Sequence, residues 1–441
     1  METNSRARLI LKYLTPSILS YLSIFLFTVV DGIFVGQGVG ADALGAVNIA
    51  FPFILIFTAC TMLSTIGGLT ITAIRIGRGD TEGANEVFMH SFTLTLLIDV
   101  VFCAASVIFT VPICRLLGAN DSYVQMTQDY LFWYGVFLIP CGLCINLDGF
   151  IRNDGRPSLV SIKTIIATTL NIFGDWLLIF PLGLGIKGAA IATGVAQTVS
   201  LLIGLSHFIL KKGNLTFHKF RINKWLYGKI ILRGLPECVA QFCTPVETII
   251  TNFIIVENLG NPAENAYSII CYVACFAISM TSGTAEGLQP LFGQSYGARN
   301  ERNLKFFKRA GFIIGLSGAV IITIIVNIFS ATWCYLYAAD PATTEVAMRA
   351  FPLYSWGYAV QGVTLITSSY LYSTTRTKYA LIINILRSFV VDSLVTLIMP
   401  AVFGADSIWL TFGIFEGIVA CTAFVFMQIA DRNGAIGKTL E

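Results

Sequence analysis

The chain has 441 residues, of which 55% are hydrophobic and 12% charged, and its formal net charge is +3. A soluble globular domain carries about 25% charged residues, so this composition, with a mean hydropathy of +0.76, excludes an ordinary soluble protein. The net charge itself says little about partners, since a basic membrane-facing rim accounts for it, and nothing in the chain looks like a nucleic-acid patch.

Apolar stretches of at least ~18 residues read as membrane helices. Twelve follow one another, over 9–36, 43–74, 87–114, 123–151, 158–181, 187–210, 225–256, 262–294, 306–332, 342–373, 378–402 and 406–430. Most exceed ~20 residues, enough to cross a bilayer with tilt. The first is too long for a signal-peptide core and lacks a small-residue cleavage site, so it reads as a retained helix. Gly36-Gln-Gly-Val-Gly40 is a turn between spans one and two. In span four, Cys141 and Cys144 form a CxxC pair with no second pair and no nearby histidine, so they read as small buried hydrophobes. The longest polar connection, Lys211 to Lys224, follows span six and reads as a linker between two halves, 1–218 and 219–441. After span twelve, Gly434-Ala-Ile-Gly-Lys-Thr439 resembles a phosphate loop but has Arg432 where the first glycine belongs and no room for a helix behind it. His90, His207 and His218 form no cluster, and no nucleotide site, nucleophile–base pair or other enzyme signature appears.

Assigning each lysine and arginine to its nearest loop puts 25 of 28 on one side of the membrane, leaving only Arg115, Lys187 and Arg349 on the other. By the positive-inside rule both termini are cytoplasmic. The halves also repeat at an offset of about 220 residues. Pro16 matches Pro236; Gly40, Ala43, Ala46 and Ile49 match Gly260, Ala263, Ala266 and Ile269; Gly77 matches Gly297; and Gly68-Leu69 returns one residue out of step as Gly287-Leu288. Six spans per half make the repeat parallel, with a pseudo-two-fold axis along the membrane normal. The fold class is an all-α membrane protein of twelve helices in two six-helix bundles.

Ionisable residues inside membrane helices are costly and therefore functional candidates. Asp31 lies about 22 residues into span one and Asp175 about 17 into span five. At ~1.5 Å per residue both reach comparable depth. Asn171 is one turn before Asp175 on the same face, and Thr193 arrives at that level from the opposite side. Two carboxylates, an amide and a hydroxyl suit a proton or a sodium ion, and two close carboxylates share a proton because ionising both is costly. Asp31, Asn171, Asp175 and Thr193 are thus the cation-binding candidates, with a sodium ion as the metal they would hold. The second half is not a copy: Asp31 becomes Thr251, with Glu247 one turn earlier, and Asp175 becomes Val395, with Asp392 nearby. Glu247, and Gln289 in span eight, are the substrate-contact candidates, while Asp99 reads equally well as facing a helix neighbour. The interior looks rich in carboxylate and poor in base, which favours cationic or neutral substrates. No cofactor and no nucleotide motor is expected, so an ion gradient is the expected energy source.

Asp31-Gly-Ile-Phe-Val-Gly36 followed by Gly40-Ala-Asp-Ala-Leu-Gly-Ala-Val-Asn-Ile-Ala-Phe-Pro52 resembles the helix 1–2 signature of multidrug and toxic compound extrusion transporters. Ile76-Gly-Arg-Gly-Asp80, Gln289-Pro-Leu-Phe-Gly-Gln-Ser-Tyr-Gly297, Asn171-Ile-Phe-Gly-Asp175 and Gly188-Ala-Ala-Ile-Ala-Thr193 resemble further motifs of that family, and the likeness extends over essentially the whole chain. It implies a V-shaped pair of six-helix bundles in the inner membrane and exchange of a cation, H⁺ or Na⁺, for small organic cations by a monomer. It also implies that Asp31, Asn171, Asp175 and Thr193 correspond to the N-lobe cation site. A C-lobe carboxylate on helix 7 serves in another branch, and Glu247 lies near that region. Asp148-Gly-Phe-Ile-Arg152 departs from the family's usual neutral residue at its first position. The alternative within the same superfamily is a flippase for a lipid-linked oligosaccharide, which needs basic groups in its cavity to hold a pyrophosphate.

Overall fold

The structure, a computed structural model, describes residues 3–119, 121, 123–336 and 340–433. The segment 434–439, with its phosphate-loop resemblance, lies outside them. Among the described residues there are helices and no strands, the expected outcome when every backbone N–H and C=O must be satisfied without water.

In chain order the helices are α1 (Thr3–Gly38), α2 (Ala41–Gly77), α3 (Thr81–Ile108), α4 (Thr110–Leu116), α5 (Val124–Val136), α6 (Leu138–Asn153), α7 (Pro157–Ile179), α8 (Gly185–Ile209) and α9 (Lys224–Ala240). They continue as α10 (Cys243–Asn258), α11 (Asn261–Gly297), α12 (Glu301–Ile328), α13 (Ser330–Leu336), α14 (Pro341–Ser373), α15 (Thr377–Ile385), a π-helical turn Leu386–Val391, α16 (Asp392–Phe403), a 3-10 turn Ala405–Ser407 and α17 (Ile408–Asn433). Among the described residues, ten segments are long and apolar enough to cross a membrane, and the bent pair α5–α6 makes an eleventh. The 33-residue α14 completes the twelve spans; buried Gln361, Thr364, Thr367, Ser368, Ser369 and Ser373 make it less apolar than the others.

Proline explains where two predicted spans break. A proline ring clashes with the carbonyl four residues earlier and has no N–H to offer it. Pro140 points back to Val136, the last residue of α5, where the span bends by 52° into α6. Pro245 points back to Gln241, in the gap between α9 and α10.

The 220-residue repeat is visible in local geometry as well as in sequence. Asp80 caps α3 by accepting from Gly83 N at 2.9 Å, and Asn300 caps α12 by accepting from Asn303 N at 2.9 Å. The short helices α4 and α13 begin 220 residues apart, as do α7 and α15. Left-handed backbone recurs at Gly79 (φ 80°) and Arg299 (φ 53°), and at Gly155 (φ 84°) and Thr375 (φ 67°). The second half therefore keeps the turn after losing the glycine that makes it cheap. One further cap, Asp340 on α14, accepts from Thr343 N at 2.8 Å, and that bond holds its carboxyl below the ordinary value.

Packing divides the chain into two compact units, Thr15–Cys238, and Met1–Leu14 with Val239–Glu441. Most of α9 thus packs with the helices before it. The reason is a backbone contact with α2: a Cβ on Gly67 would strike Ile230 O, and one on Gly234 would strike Leu63 O. Small residues at such crossings let membrane helices approach closely. The connection before α9 is also pinned to the same unit. Thr216 N donates to Asn85 Oδ1 (2.7 Å), Asn214 N to Asp154 Oδ1 (2.8 Å) and Asn223 N to His90 Nε2 (3.0 Å). His207 Nε2 lies 2.8 Å from the other oxygen of Asp154.

Candidate functional site

The buried face of α7 carries Lys163, Thr164, Ala167, Thr168, Asn171 and Asp175, spaced by one, three or four residues along one side of the helix. Side-chain bonds at a constant offset lay α1 parallel to it. Ser161 Oγ donates to Pro16 O (2.5 Å) and Thr168 Oγ1 to Ser23 O (3.3 Å), each 145 residues apart. Two turns further along, the same parallel packing, at an offset one residue shorter, brings Asp31 to Asp175. On the other flank, a Cβ at Gly174 would sit 3.0 Å from Ala192, and this close α7–α8 crossing puts Asn171 Nδ2 3.2 Å from Thr193 Oγ1.

The structure therefore brings all four cation candidates together. Asp175 is fully buried and Asn171 nearly so. The two carboxyl groups are within hydrogen-bonding reach of each other, and Asn171 is beside Asp175. Ionised carboxylates only accept hydrogen bonds, so a bond between them requires one proton. Without that proton, buried Asp31 Oδ1, Asp175 Oδ1 and Oδ2, and Asn171 Oδ1 have no donor. Buried polar atoms are nearly always satisfied; four orphaned oxygens in one place form a donor set for a proton or a hard cation. Tyr130 and Tyr134 of α5 stand close enough to sense its charge.

Glu247 and Gln289 are not brought together. Glu247, on α10, accepts from Tyr354 Oη at 2.8 Å, and Tyr267 of α11 senses its charge. Gln289 lies 22 residues beyond Tyr267 on the same helix, roughly 33 Å at 1.5 Å per residue. Its Nε2 is buried without an acceptor. The neighbours of Glu247 are instead Asp392, Glu416 and Arg387. Arg387 grips Glu416, Nη2 to Oε1 at 2.6 Å and Nε to Oε1 at 2.8 Å, and Thr396 Oγ1 donates to Asp392 at 3.2 Å. Arg387 lies in the π-helical turn and Asp392 directly follows it, and such turns often mark functional positions. Asp99 accepts from Thr61 Oγ1 at 3.3 Å and fills the space beside Gly142.

The base-poor interior needs correction. Lys163 and Arg387 are 0% and 6% exposed in their side chains. Reading each basic residue as part of its nearest loop hid both. The clue was available: Lys163 shares the helical face of Thr164, Asn171 and Asp175. Each is matched by a carboxylate, Lys163 by Asp148 at 2.5 Å and Arg387 by Glu416, so neither adds net positive charge to the interior. Cys144, read as an inert hydrophobe, lies 2.9 Å from Lys163 Nζ.

Comparison with known proteins decides the family: the MatE family model matches residues 16–177 and again 236–398, most of both halves. The chain belongs to the MatE family. It is 23% identical over 434 residues to the multidrug export protein MepA of Staphylococcus haemolyticus, covering 97% of this chain and 93% of that protein. It is 24% identical over 404 residues to an FAD transporter of Shewanella oneidensis, covering 89% and 86%. Among solved structures it superposes on a Vibrio cholerae MATE transporter with a TM-score of 0.92 at 19% identity, covering 98% and 99% of the two chains. As a MatE protein the chain is a multi-pass membrane transporter and not an enzyme.

Proposed function

We infer that this MatE protein is an antiporter that exports organic, mainly cationic amphipathic compounds in exchange for H⁺ or Na⁺. It works by alternating access as a monomer, with both termini on the cytoplasmic side of the inner membrane. The observation that carries the reading is the Asp31–Asp175 pair with its orphaned oxygens and Asn171–Thr193 beside it. Such a site gains a cation from the side where the ion is abundant and loses it where the ion is scarce. Ion and exported compound then oppose each other's binding, and linkage makes the antagonism reciprocal.

The test is efflux of a fluorescent organic cation from proteoliposomes holding the full chain, under a proton gradient and a sodium gradient imposed separately. One gradient should drive efflux; efflux that ignores both ends the antiport reading. FAD belongs in the same assay, because a relative is an FAD transporter. The flippase alternative draws no support from Lys163 and Arg387, because each is held by an acid and neither is free for a pyrophosphate.

A further inference from the structure

The Asp31–Asp175 site is not closed at its far side. A cavity of about 200 Å³ begins at Asn171 and Thr193 and runs to Asp148, Cys144 and Ser200. Drug-sized ligands occupy pockets of roughly 300–1,000 Å³, so this space suits a small ion or a few waters. Its walls are largely apolar, but polar side chains recur along them. From α7 come Thr164, Thr168 and Asn171, and from α8 come Thr193, Gln197 and Ser200, both series at helical spacing on one face. The cavity runs from Asn171 and Thr193, beside the carboxyl pair, toward the end of the helices where α6 turns into α7 at Asp154–Arg156.

At that end stands the ion pair. Lys163 Nζ lies 2.5 Å from Asp148 Oδ1, 2.9 Å from Cys144 Sγ and 3.2 Å from Ser200 Oγ. An ammonium has three N–H donors, so all three are engaged, and two of the acceptors are not Asp148. The ammonium can therefore release Asp148 while keeping Cys144 and Ser200. The charged or titratable groups facing the pair include Cys144 on α6, and Arg152 one turn on, whose Nε donates to Asp148 O at 3.3 Å. The lining residues from α1, Ile24 and Phe27, and from α8 carry no charge.

We propose that Asp148 is a second cation station on the ion's route, with the Lys163 ammonium as its built-in competitor. A proton or sodium ion leaving Asn171–Thr193 passes down the cavity and takes the place of Nζ at the Asp148 carboxylate; Nζ moves onto Cys144 and Ser200. When the ion departs toward the basic rim, Nζ returns and closes the route. Asp148 is thus neutralised in both states, by the ammonium in one and by the ion in the other, so the carboxylate is never left unpaired inside the helices. Lys163 is a positioning residue, acting through Asp148. The proposal rests on the ion-coupled reading above, and the alternative is a static clamp joining α6 to α7.

Infrared difference spectroscopy of the full chain in lipid separates the two. Spectra are taken for steps from about pH 8.5 to about pH 5.5 and for sodium addition, ranges that bracket the titration of perturbed carboxyls. A carboxyl band that disappears in Asp148→Asn, for either ion, is the expected result. Lys163→Gln should make that band appear at an ion concentration at least about tenfold lower, since the competitor is gone. If Lys163→Gln does not fold, the parent and Asp148→Asn spectra decide the matter. An Asp148 silent to both ions overturns the proposal. Gradient-driven efflux is measured on the same liposomes. Absent efflux with the Asp148 band present removes the antiport reading and keeps the station; intact efflux with Asp148 silent removes the station alone.

Discussion

The two halves share a backbone plan and differ in what they bury. In the first, Asp31 and Asp175 face each other with no cation among their bonded partners and with four oxygens unmatched on the pair and Asn171. In the second, Arg387 neutralises Glu416, Tyr354 donates to Glu247 and Thr396 donates to one oxygen of Asp392, while Glu416 Oε2 and Asp392 Oδ2 stay unmatched. The first half leaves its acids waiting for a ligand, whereas the second completes most of its network internally. Duplication thus preserved caps, turns and helix lengths while the polar interior diverged. What sets the first half apart is that its two acids meet with no base bonded to either, and on this our proposal of ion exchange there rests.

The largest test of that asymmetry is Asp175→Asn. Losing a charged partner costs about 1.5–3 kcal/mol, so gradient-driven efflux should fall about a hundredfold while the protein still folds. Asn171→Ala should cost less, and the double variant should cost less than the two losses combined, because both groups act on one ion. Glu247→Gln should leave the ion dependence in place. If Glu247→Gln abolishes ion dependence and Asp175→Asn does not, the roles of the two halves are reversed.

Stability should show the opposite order. Arg387→Met strands Glu416 in a buried site, and breaking a buried pair costs about 3–5 kcal/mol. Thermal unfolding in detergent should show a large drop, mostly recovered in the Arg387→Met, Glu416→Leu double variant. Asp175→Asn should hold or raise the melting temperature, because it removes charge from a site whose oxygens lack donors. A steeper loss from Asp175→Asn than from Arg387→Met would show that the first pair is structural.

Much of this was legible in the sequence because it depends on periodicity and depth. Twelve spans, the parallel repeat and the meeting of Asp31 with Asp175 follow from counting residues at a fixed rise along helices entering from the same side. The two buried ion pairs did not follow. Lys163 and Arg387 lie only a few turns from a loop, and charge counting credits such residues to the loop; only tertiary neighbours show that Asp148 and Glu416 hold them inside. The division of packing was hidden for a similar reason. The repeat places α9 with the second half, but the glycine contact of Gly67 with the backbone near Gly234 joins it to the first, and no one-dimensional pattern shows which glycines touch.

The smallest prediction concerns the turns that both halves kept. Gly79 and Arg299 occupy equivalent places with φ of 80° and 53°, each just before a capping residue, Asp80 or Asn300. A Cβ at Gly79 would meet nothing within 4 Å, so Gly79→Ala tests backbone strain alone. The left-handed conformation costs an L-residue about 1–2 kcal/mol, and Gly79→Ala should destabilise by about 1 kcal/mol. Arg299→Gly recovers that strain but adds about 0.5–1 kcal/mol of unfolded-chain entropy, so its net change should be near zero or slightly stabilising. Transport should be unchanged in both, since neither residue is near the carboxyl pair or the cavity. Equal and opposite shifts would mean that unfolded-state entropy is negligible at this turn. No cost for Gly79→Ala would mean that the turn relaxes, and the left-handed geometry would then not be what the duplication conserved.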